Sequence, residues 1–270
     1  MSISKRISQI QKNYYLQLNS KNMKPKSALK YLLFLPVILF AQFSFAQTHV
    51  DHFSKVIVSP NIAVTFVEGN DESVTIEKST VSNDKIHIEV TNNVLRIYLD
   101  GQKDFPKNET NFENGYKEKR SVYKGTVVTA TVSYKTLNTL SIRGEETQVC
   151  KSLLKQENFK LKIYGESHVI FEQVNLGYLQ ATIYGEGCLE IKSGTISDQN
   201  FIAYGDSEVK NFAINGTTAK ITAYGDANFE VNASEAIKFT AFGDAKLQYK
   251  GNPEIKRGLN IGDVQIDKMD

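Results

Sequence analysis

The residues whose types and spacing suggest chemistry are glycine–carboxylate pairs that recur through the second half of the chain. Successive pairs lie 21, 20, 20, 20, 18 and 19 residues apart. The pairs are Gly144-Glu145, Gly165-Glu166, Gly185-Glu186, Gly205-Asp206, Gly225-Asp226, Gly243-Asp244 and Gly262-Asp263. Such carboxylates could bind Ca²⁺, which takes several oxygen ligands, or accept backbone N–H groups at their own turns. The aspartate-rich nonapeptide of calcium-binding repeats is absent, so we predict hydrogen bonding and no metal site.

Aromatic residues precede five of these glycines, which makes them the candidate ligand-binding residues. They are Tyr164, Tyr184, Tyr204, Tyr224 and Phe242. An outward row of rings would bind a sugar or the apolar surface of another protein. In the alternative, which we favour, the rings stack on one another and shield the corner of each turn. The glycine that follows each ring would permit the bend, because it tolerates a positive φ and close approach of backbone.

No constellation of residues predicts catalysis. The four histidines, His49, His52, His87 and His168, are scattered and form neither a metal-binding pair nor a triad. Polysaccharide lyases and hydrolases remain the alternative class, since stacked acids resemble a carboxylate pair. Each acid here is one copy of a repeat, however, whereas an active site should break the pattern at one turn. We therefore predict a protein that is not an enzyme, with no catalytic residue and no cofactor.

The period of the pairs indicates the fold that must position them. A fixed repeat of about 20 residues is typical of a solenoid. Parallel strands need crossovers, and 20 residues leave no room for a helix in each turn. We therefore predict an all-β fold, a right-handed parallel β-helix with about 20 residues per turn.

Period-two alternation assigns the side chains of each turn to two faces. The first strand of a turn points these residues inward: Leu161, Ile163, Ala181, Ile183, Phe201, Ala203, Ile221, Ala223, Phe239 and Ala241. Their outward neighbours are Lys162, Thr182, Ile202, Thr222 and Thr240. The second strand points these residues inward: Val169, Phe171, Leu189, Ile191, Phe229, Val231, Leu247 and Tyr249.

The domain organisation is a leader followed by one β-solenoid domain over residues 47–270. Alternating apolar runs from Val56 to Leu99 indicate strands, either the first turns of the solenoid or a cap over its end. Residues 100–125 are charged and nearly free of aliphatic side chains. We expect this segment to be a polar surface loop, tolerated as an insertion.

Residues 1–46 are typical of a secretory signal peptide. A basic start, an apolar run and the small residues Ser44 and Ala46 precede a cleavage site before Gln47. We expect Met23 to be the true start, because it gives a signal of ordinary length. The leader holds seven of the 32 basic residues and no acid, so the mature chain has 25 basic and 30 acidic residues, a net charge of −5. This balance argues against nucleic acid as a partner, and we predict no transmembrane segment in the mature chain.

The two cysteines, Cys150 and Cys188, belong to turns two steps apart. At about 4.8 Å per turn they would be about 10 Å apart, beyond the reach of a disulfide. We predict two free thiols, buried or half-buried.

The chain resembles the head GIN domain family of putative auto-transporter adhesins. The resemblance covers about Phe53 to Ile266 and is carried by the Gly-acid corners and the tail Tyr249-Lys250-Gly251-Asn252-Pro253. It implies an exported right-handed β-helix, and it implies a small polar residue where this chain has tyrosine. We expect a non-enzymatic binding or adhesin-like structural module of the cell envelope. Its partners would be glycans or another envelope protein, and its location the periplasm, the outer-membrane surface or the extracellular space.

Overall fold

A computed structural model describes residues 46–103, 108–113 and 116–270, which belong to one compact unit, Phe45–Asp270. The predicted signal peptide lies outside the described residues except for Ala46. The described part contains strands and one short 3₁₀ helix, Asn83–Lys85. None of its helices is long and apolar enough to cross a membrane.

The strands divide at about residue 150 into an irregular first part and a regular second part. The first strands are β1 (Ala46–His49), β2 (Lys55–Val58), β3 (Ile62–Glu68), β4 (Ser73–Ser79), β5 (Ile86–Thr91), β6 (Val94–Leu99), β7 (Asn108–Glu113), β8 (Tyr116–Ser121), β9 (Val128–Tyr134), β10 (Thr139–Gly144) and β11 (Gln148–Cys150). The later ones are β12 (Leu154–Gly165), β13 (His168–Phe171), β14 (Val174–Tyr184), β15 (Cys188–Ile191), β16 (Gly194–Tyr204), β17 (Ser207–Asn211), β18 (Ile214–Tyr224), β19 (Ala227–Asn232), β20 (Ala236–Phe242), β21 (Ala245–Lys250), β22 (Glu254–Ile261) and β23 (Val264–Lys268).

Two large sheets face each other along the molecule. Sheet A has eleven strands in the order β1-β4-β9-β3-β11-β13-β15-β17-β19-β21-β23. Sheet B has ten, in the order β22-β20-β18-β16-β14-β12-β10-β2-β6-β5. From β10 onward, odd and even strands alternate between the sheets and each pairs in parallel with its equivalent one turn away. The predicted β-solenoid is confirmed, with about six turns of about 20 residues.

The register confirms the predicted faces. Ile163 pairs with Ile183, and Ile183 with Ala203, all three buried, while Lys162, Thr182 and Ile202 occupy the opposite face. Thr182 is nevertheless almost fully covered, because its neighbours flank it on both sides. Tyr249, predicted to point inward, is half-buried at the last turns.

Phenylalanines fill the space between the two sheets. The rings of Phe159 and Phe171 meet edge to face with centroids 5.7 Å apart, and those of Phe229 and Phe239 do so at 6.2 Å. Each pair joins a strand of sheet B to one of sheet A, so it ties the two walls of the solenoid together.

The sequence left two interpretations of the first part of the chain, the first turns of the solenoid or a cap over its end. The structure shows that this part supplies both. β2 and β3 stack in parallel below β10 and β11. β9 and β6 continue the parallel pairing by one strand in each sheet, and beyond them the direction changes, because β4 runs antiparallel to β9, β1 to β4, and β5 to β6. This end of the solenoid is therefore closed by strands that do not follow the coil.

The segment 100–125, expected to be a surface loop, contains a two-stranded antiparallel sheet of β7 and β8, paired from Asn108 with Ser121 to Glu113 with Tyr116. At the opposite end of the molecule β22 and β23 are the outermost strands of their sheets. Leu259 and Ile261 are exposed there.

Both thiols are free, as predicted. Cys150 is buried between Phe66 and Phe171 on the inward face. Cys188 is half-buried between His168 and Glu208 on the outer face of sheet A. Burial raises the pKa of the Cys188 thiol to about 12.

Candidate functional site

A column of glycines forms the corner between the two sheets and allows the backbones of successive turns to approach closely. Gly165 has a φ of 95°, and a Cβ there would lie 2.6 Å from the carbonyl oxygen of Gly144. Gly243 has a φ of 134°, and its Cβ would lie 2.6 Å from the carbonyl oxygen of Gly225. Both reasons that we expected for glycine therefore hold, the positive φ and the close approach of successive turns.

The five aromatic residues before these glycines form one stacked column. Centroid distances from Tyr164 through to Phe242 are 4.9, 5.0, 4.9 and 5.2 Å. Interplanar angles are between 2° and 6°. The structure thus brings together every candidate ligand-binding residue, in the stacked arrangement that we favoured. We call this set the tyrosine column.

Stacking limits what the tyrosine column presents to a partner. Ring faces inside the column are covered by the neighbouring rings, and the guanidinium of Arg143 lies 5.9 Å from the Tyr164 centroid at one end. Tyr184, Tyr204 and Tyr224 are still 37%, 40% and 41% exposed. Their hydroxyls make no hydrogen bond within the described residues. A partner would therefore meet ring edges and a row of phenol hydroxyls at a pitch of about 5 Å.

The carboxylates beside the tyrosine column act as hydrogen-bond acceptors at its C-terminal end. Oδ1 of Asp226 accepts from the backbone N–H of Asp244 at 3.4 Å, and Oδ1 of Asp244 from that of Asp263 at 3.0 Å. Within the described ranges, no three His, Cys, Asp or Glu side chains are grouped as metal ligands would be.

The first corner differs from the others because it contains a buried acid. Glu146 occupies the second position after the glycine and accepts a hydrogen bond from the backbone N–H of Glu145 at 3.2 Å. Burial raises the pKa of this carboxyl. Two later corners have serine at the same position, where the Ser167 and Ser207 hydroxyls donate to the carbonyls of Gly144 and Gly185, at 2.9 and 3.2 Å. These serines were not singled out from the sequence.

The histidines do not assemble into a catalytic group within the described residues. His52 pairs with Glu72 at 3.0 Å near the N-terminal cap, and His168 with Glu190 at 3.1 Å on sheet A. The His87 ring stacks on Tyr98, whose hydroxyl donates to Glu89 at 2.5 Å. Each cluster lies on a different part of the fold, so none supplies the nucleophile, base and orienting group of an enzyme.

Apart from the tyrosine column, the surface has a depression of about 580 Å³ at the beginning of strands β16 and β18. Hydroxyl and amide side chains and glycine line it. Its walls include Ser197, Asn215, Thr217 and Ser234. We did not predict it. The only trace in the sequence is the spacing of 18 residues between Gly225 and Gly243, where the preceding three turns have 20.

Comparison with known proteins agrees with this architecture. Residues 52–253, well over half of the chain, match the model of a family described as "Putative auto-transporter adhesin, head GIN domain". No curated protein is similar enough in sequence to be matched with the chain.

Solved structures share the fold. A structure from Bacteroides fragilis described as a putative adhesin has a TM-score of 0.69 and 18% identity, covering 83% of this chain and 95% of its own. One from Parabacteroides merdae, also described as a putative adhesin, has a TM-score of 0.61 and 16% identity, covering 84% and 96%. A structure from Parabacteroides distasonis, described as a putative lipid binding protein, has a TM-score of 0.55 and 18% identity, covering 83% and 96%. At these identities the likeness establishes the fold alone.

Proposed function

We propose a function from the premise that this chain belongs to the family described as "Putative auto-transporter adhesin, head GIN domain": it is an exported, adhesin-like, non-enzymatic binding module of the cell envelope. Residues 1–46 are its signal peptide, and the mature chain resides in the periplasm, on the outer-membrane surface or outside the cell. The family description and the leader sequence support this proposal.

The tyrosine column is the binding surface, and the observation that carries this assignment is its exposure. Monomeric proteins rarely expose a contiguous apolar row without a partner that covers it. The hydroxyls of Tyr184, Tyr204 and Tyr224, which have no hydrogen-bond partner among the described residues, add hydrogen-bonding capacity beside the ring edges, a combination that recurs at protein interfaces. The partner class is a glycan or another envelope protein that lies along the column.

Rigidity also favours binding over a purely structural role. The three interior rings, Tyr184, Tyr204 and Tyr224, are each stacked on both sides and followed by a corner glycine whose backbone is packed against the preceding turn. A surface whose side chains are already ordered loses little conformational entropy on association.

The test compares two double variants of the mature chain. Tyr204→Ser with Tyr224→Ser removes two adjacent rings, whereas Ile202→Ser with Thr222→Ser alters the same strands and face two residues earlier. Both are applied to a glycan array and to an affinity capture of envelope proteins. Loss of a bound partner in the tyrosine variant alone supports the proposal. Binding that is unaffected in a folded tyrosine variant leaves the column with a structural role and refutes it.

A further inference from the structure

The depression exists because one turn of the solenoid is shorter than those before it. β16 and β18 pair in parallel from Gly194 with Ile214 to Tyr204 with Tyr224, with one interruption at Ser197 and Thr217. β20 pairs with β18 only from Thr218 onward. Residues 214–217 therefore have no parallel strand on that side. The N–H groups of Ser234 and Glu235, each at 3.0 Å, bond the carbonyls of Gly216 and Thr217 instead.

The walls of the depression are polar but uncharged. Three of its side chains are already engaged. Thr195 donates to Asn175 at 3.2 Å, Asn232 donates to the carbonyl of Ile214 at 2.8 Å, and Asn252 accepts from Lys268 at 2.6 Å. The side chains of Ser197, Asn215, Thr217 and Ser234 make no hydrogen bond within the described part of the chain. Four hydroxyl or amide groups thus remain available around one concave surface.

A buried amide network beneath the depression fixes its shape. Gln199, 2% exposed, donates to the carbonyl of Asn232 at 3.1 Å and accepts from the fully buried Asn211 at 2.5 Å. A Cβ added at Gly216 would collide with the Gln199 amide and the Asn232 carbonyl, so backbone and network are in tight contact. Walls that are held in this way present their polar groups in a fixed arrangement.

We propose that this depression binds a neutral sugar unit of a glycan. Hydroxyls and primary amides both donate and accept hydrogen bonds, and so do the hydroxyls of a sugar. No charged side chain lines the depression, and the Lys268 ammonium that bonds Asn252 is already hydrogen-bonded there, so the lining offers little compensation for desolvating an ionic ligand. A volume of about 580 Å³ is within the range of small-molecule sites, about 300–1,000 Å³.

The site is separate from the tyrosine column and does not depend on the function proposed above. Asn215 and Tyr224 are at opposite ends of β18, nine residues apart. At about 3.3 Å per residue, an extended strand would separate them by up to about 30 Å, and the interruption at Thr217 shortens this. One monosaccharide unit cannot contact both. The depression also lies at the shortest turn, where the surface differs from that of the regular turns before it.

The experiment first measures the binding of the mature chain to neutral oligosaccharides on a glycan array. Those that bind are then titrated into the mature chain by calorimetry to give their affinities. Asn215→Ala with Thr217→Ala removes two of the free groups. Lys220→Ala with Thr222→Ala is the matched control, on the same strand but outside the depression. We expect affinity to fall at least tenfold in the first variant and to stay within twofold of the wild type in the control. If the first variant does not fold, Ser197→Ala with Ser234→Ala tests the same surface.

Three results would overturn the proposal. One is the absence of binding to any neutral glycan at millimolar concentration. Another is equal affinity in the folded depression variant and the wild type. The third is loss of the same glycan in the folded Tyr204→Ser, Tyr224→Ser variant, which would place the sugar on the column. Conversely, retention of the glycan by that variant supports the depression as its site, whatever the outcome for the function of the column.

Discussion

The backbone N–H of Asp263 donates a hydrogen bond of 3.0 Å to Oδ1 of Asp244, the acid at the same position one turn earlier. The bond explains how like charges are tolerated at neighbouring corners. Two carboxylates about 5 Å apart in water repel by less than about 1 kcal/mol. A hydrogen bond to a charged acceptor contributes about as much or more in the opposite direction.

Replacing Asp244 by alanine should therefore destabilise the protein, by about 1 kcal/mol since the site is exposed to solvent. Asp206→Ala is the control, because its carboxylate makes no hydrogen bond within the described residues. Removing only a repulsive charge there should leave stability unchanged or slightly higher. Urea denaturation followed by circular dichroism measures both, and equal losses in the two variants would contradict this explanation.

Gly243→Ala tests the packing of the corner. The change combines a positive φ with a Cβ placed 2.6 Å from a carbonyl oxygen, and we expect a loss of about 3 kcal/mol. Gly125→Ala separates the two effects, since that glycine has a φ of 58° and open space around its Cβ. Its cost should be about 1 kcal/mol. The comparison is made by thermal and urea denaturation.

The contribution of stacking should depend on position in the tyrosine column. Tyr204→Ala removes two ring contacts and Phe242→Ala, at the end of the column without the Arg143 guanidinium, removes one. At about 0.5–1.5 kcal/mol per ring pair, the interior variant should lose about twice as much stability as the terminal one. Equal losses in urea denaturation would show that the rings contribute by burial alone.

The assignment of faces is tested by a buried charge. Ile183→Asp places an unpaired carboxylate between the two sheets, and we expect the variant not to fold. Lys162→Asp, on the outward face of the neighbouring strand, should fold with little change in stability. Far-ultraviolet circular dichroism and gel filtration distinguish these outcomes. A folded Ile183→Asp variant would mean that the interior admits water.

Thiol reactivity should be low in the folded protein. Burial raises the pKa of Cys188 to about 12, so at pH 8 little of it is thiolate, and reactivity should increase as the pH is raised toward that value. Cys150 is fully buried and its pKa is raised for the same reason. Titration with Ellman's reagent at pH 8 should detect two thiols after denaturation and react slowly before it. A fast reaction of the native Cys188→Ser variant would contradict the burial of Cys150.

The regular part of the fold could be predicted because each turn is specified by the residues within that turn. Each turn repeats a glycine corner and an alternating strand, so the pairing of Ile163 with Ile183 follows from their equal positions. The cap could not be predicted in the same way. Alternation identifies β4 and β5 as strands, but pairing partners and direction depend on contacts between distant segments, such as Val74 with Val132.

Of the two candidate sites, the residues of the tyrosine column could be predicted from the repeat, whereas the depression could not. Alternation places Tyr204 on the outward face, and the chemistry of the rings favours stacking, but the orientation of each ring depends on the geometry of the corner and not on the spacing of the residues. The depression depends on how β18 and β20 are offset after a shortening of two residues. The spacing of the glycines shows only that one turn is two residues shorter. The register of β18 and β20 shows that residues 214–217 are the ones left without a parallel strand.

The glycine corner has a consequence for how the molecule can change in length. The corner glycines pack against the corner one turn earlier, as Gly165 does against Gly144 and Gly243 against Gly225. Duplication of one repeat of about 20 residues would therefore add one ring to the row at an unchanged pitch, with no adjustment elsewhere. The length of the exposed aromatic row would then change in whole steps of one ring, while the contacts at each corner stay the same.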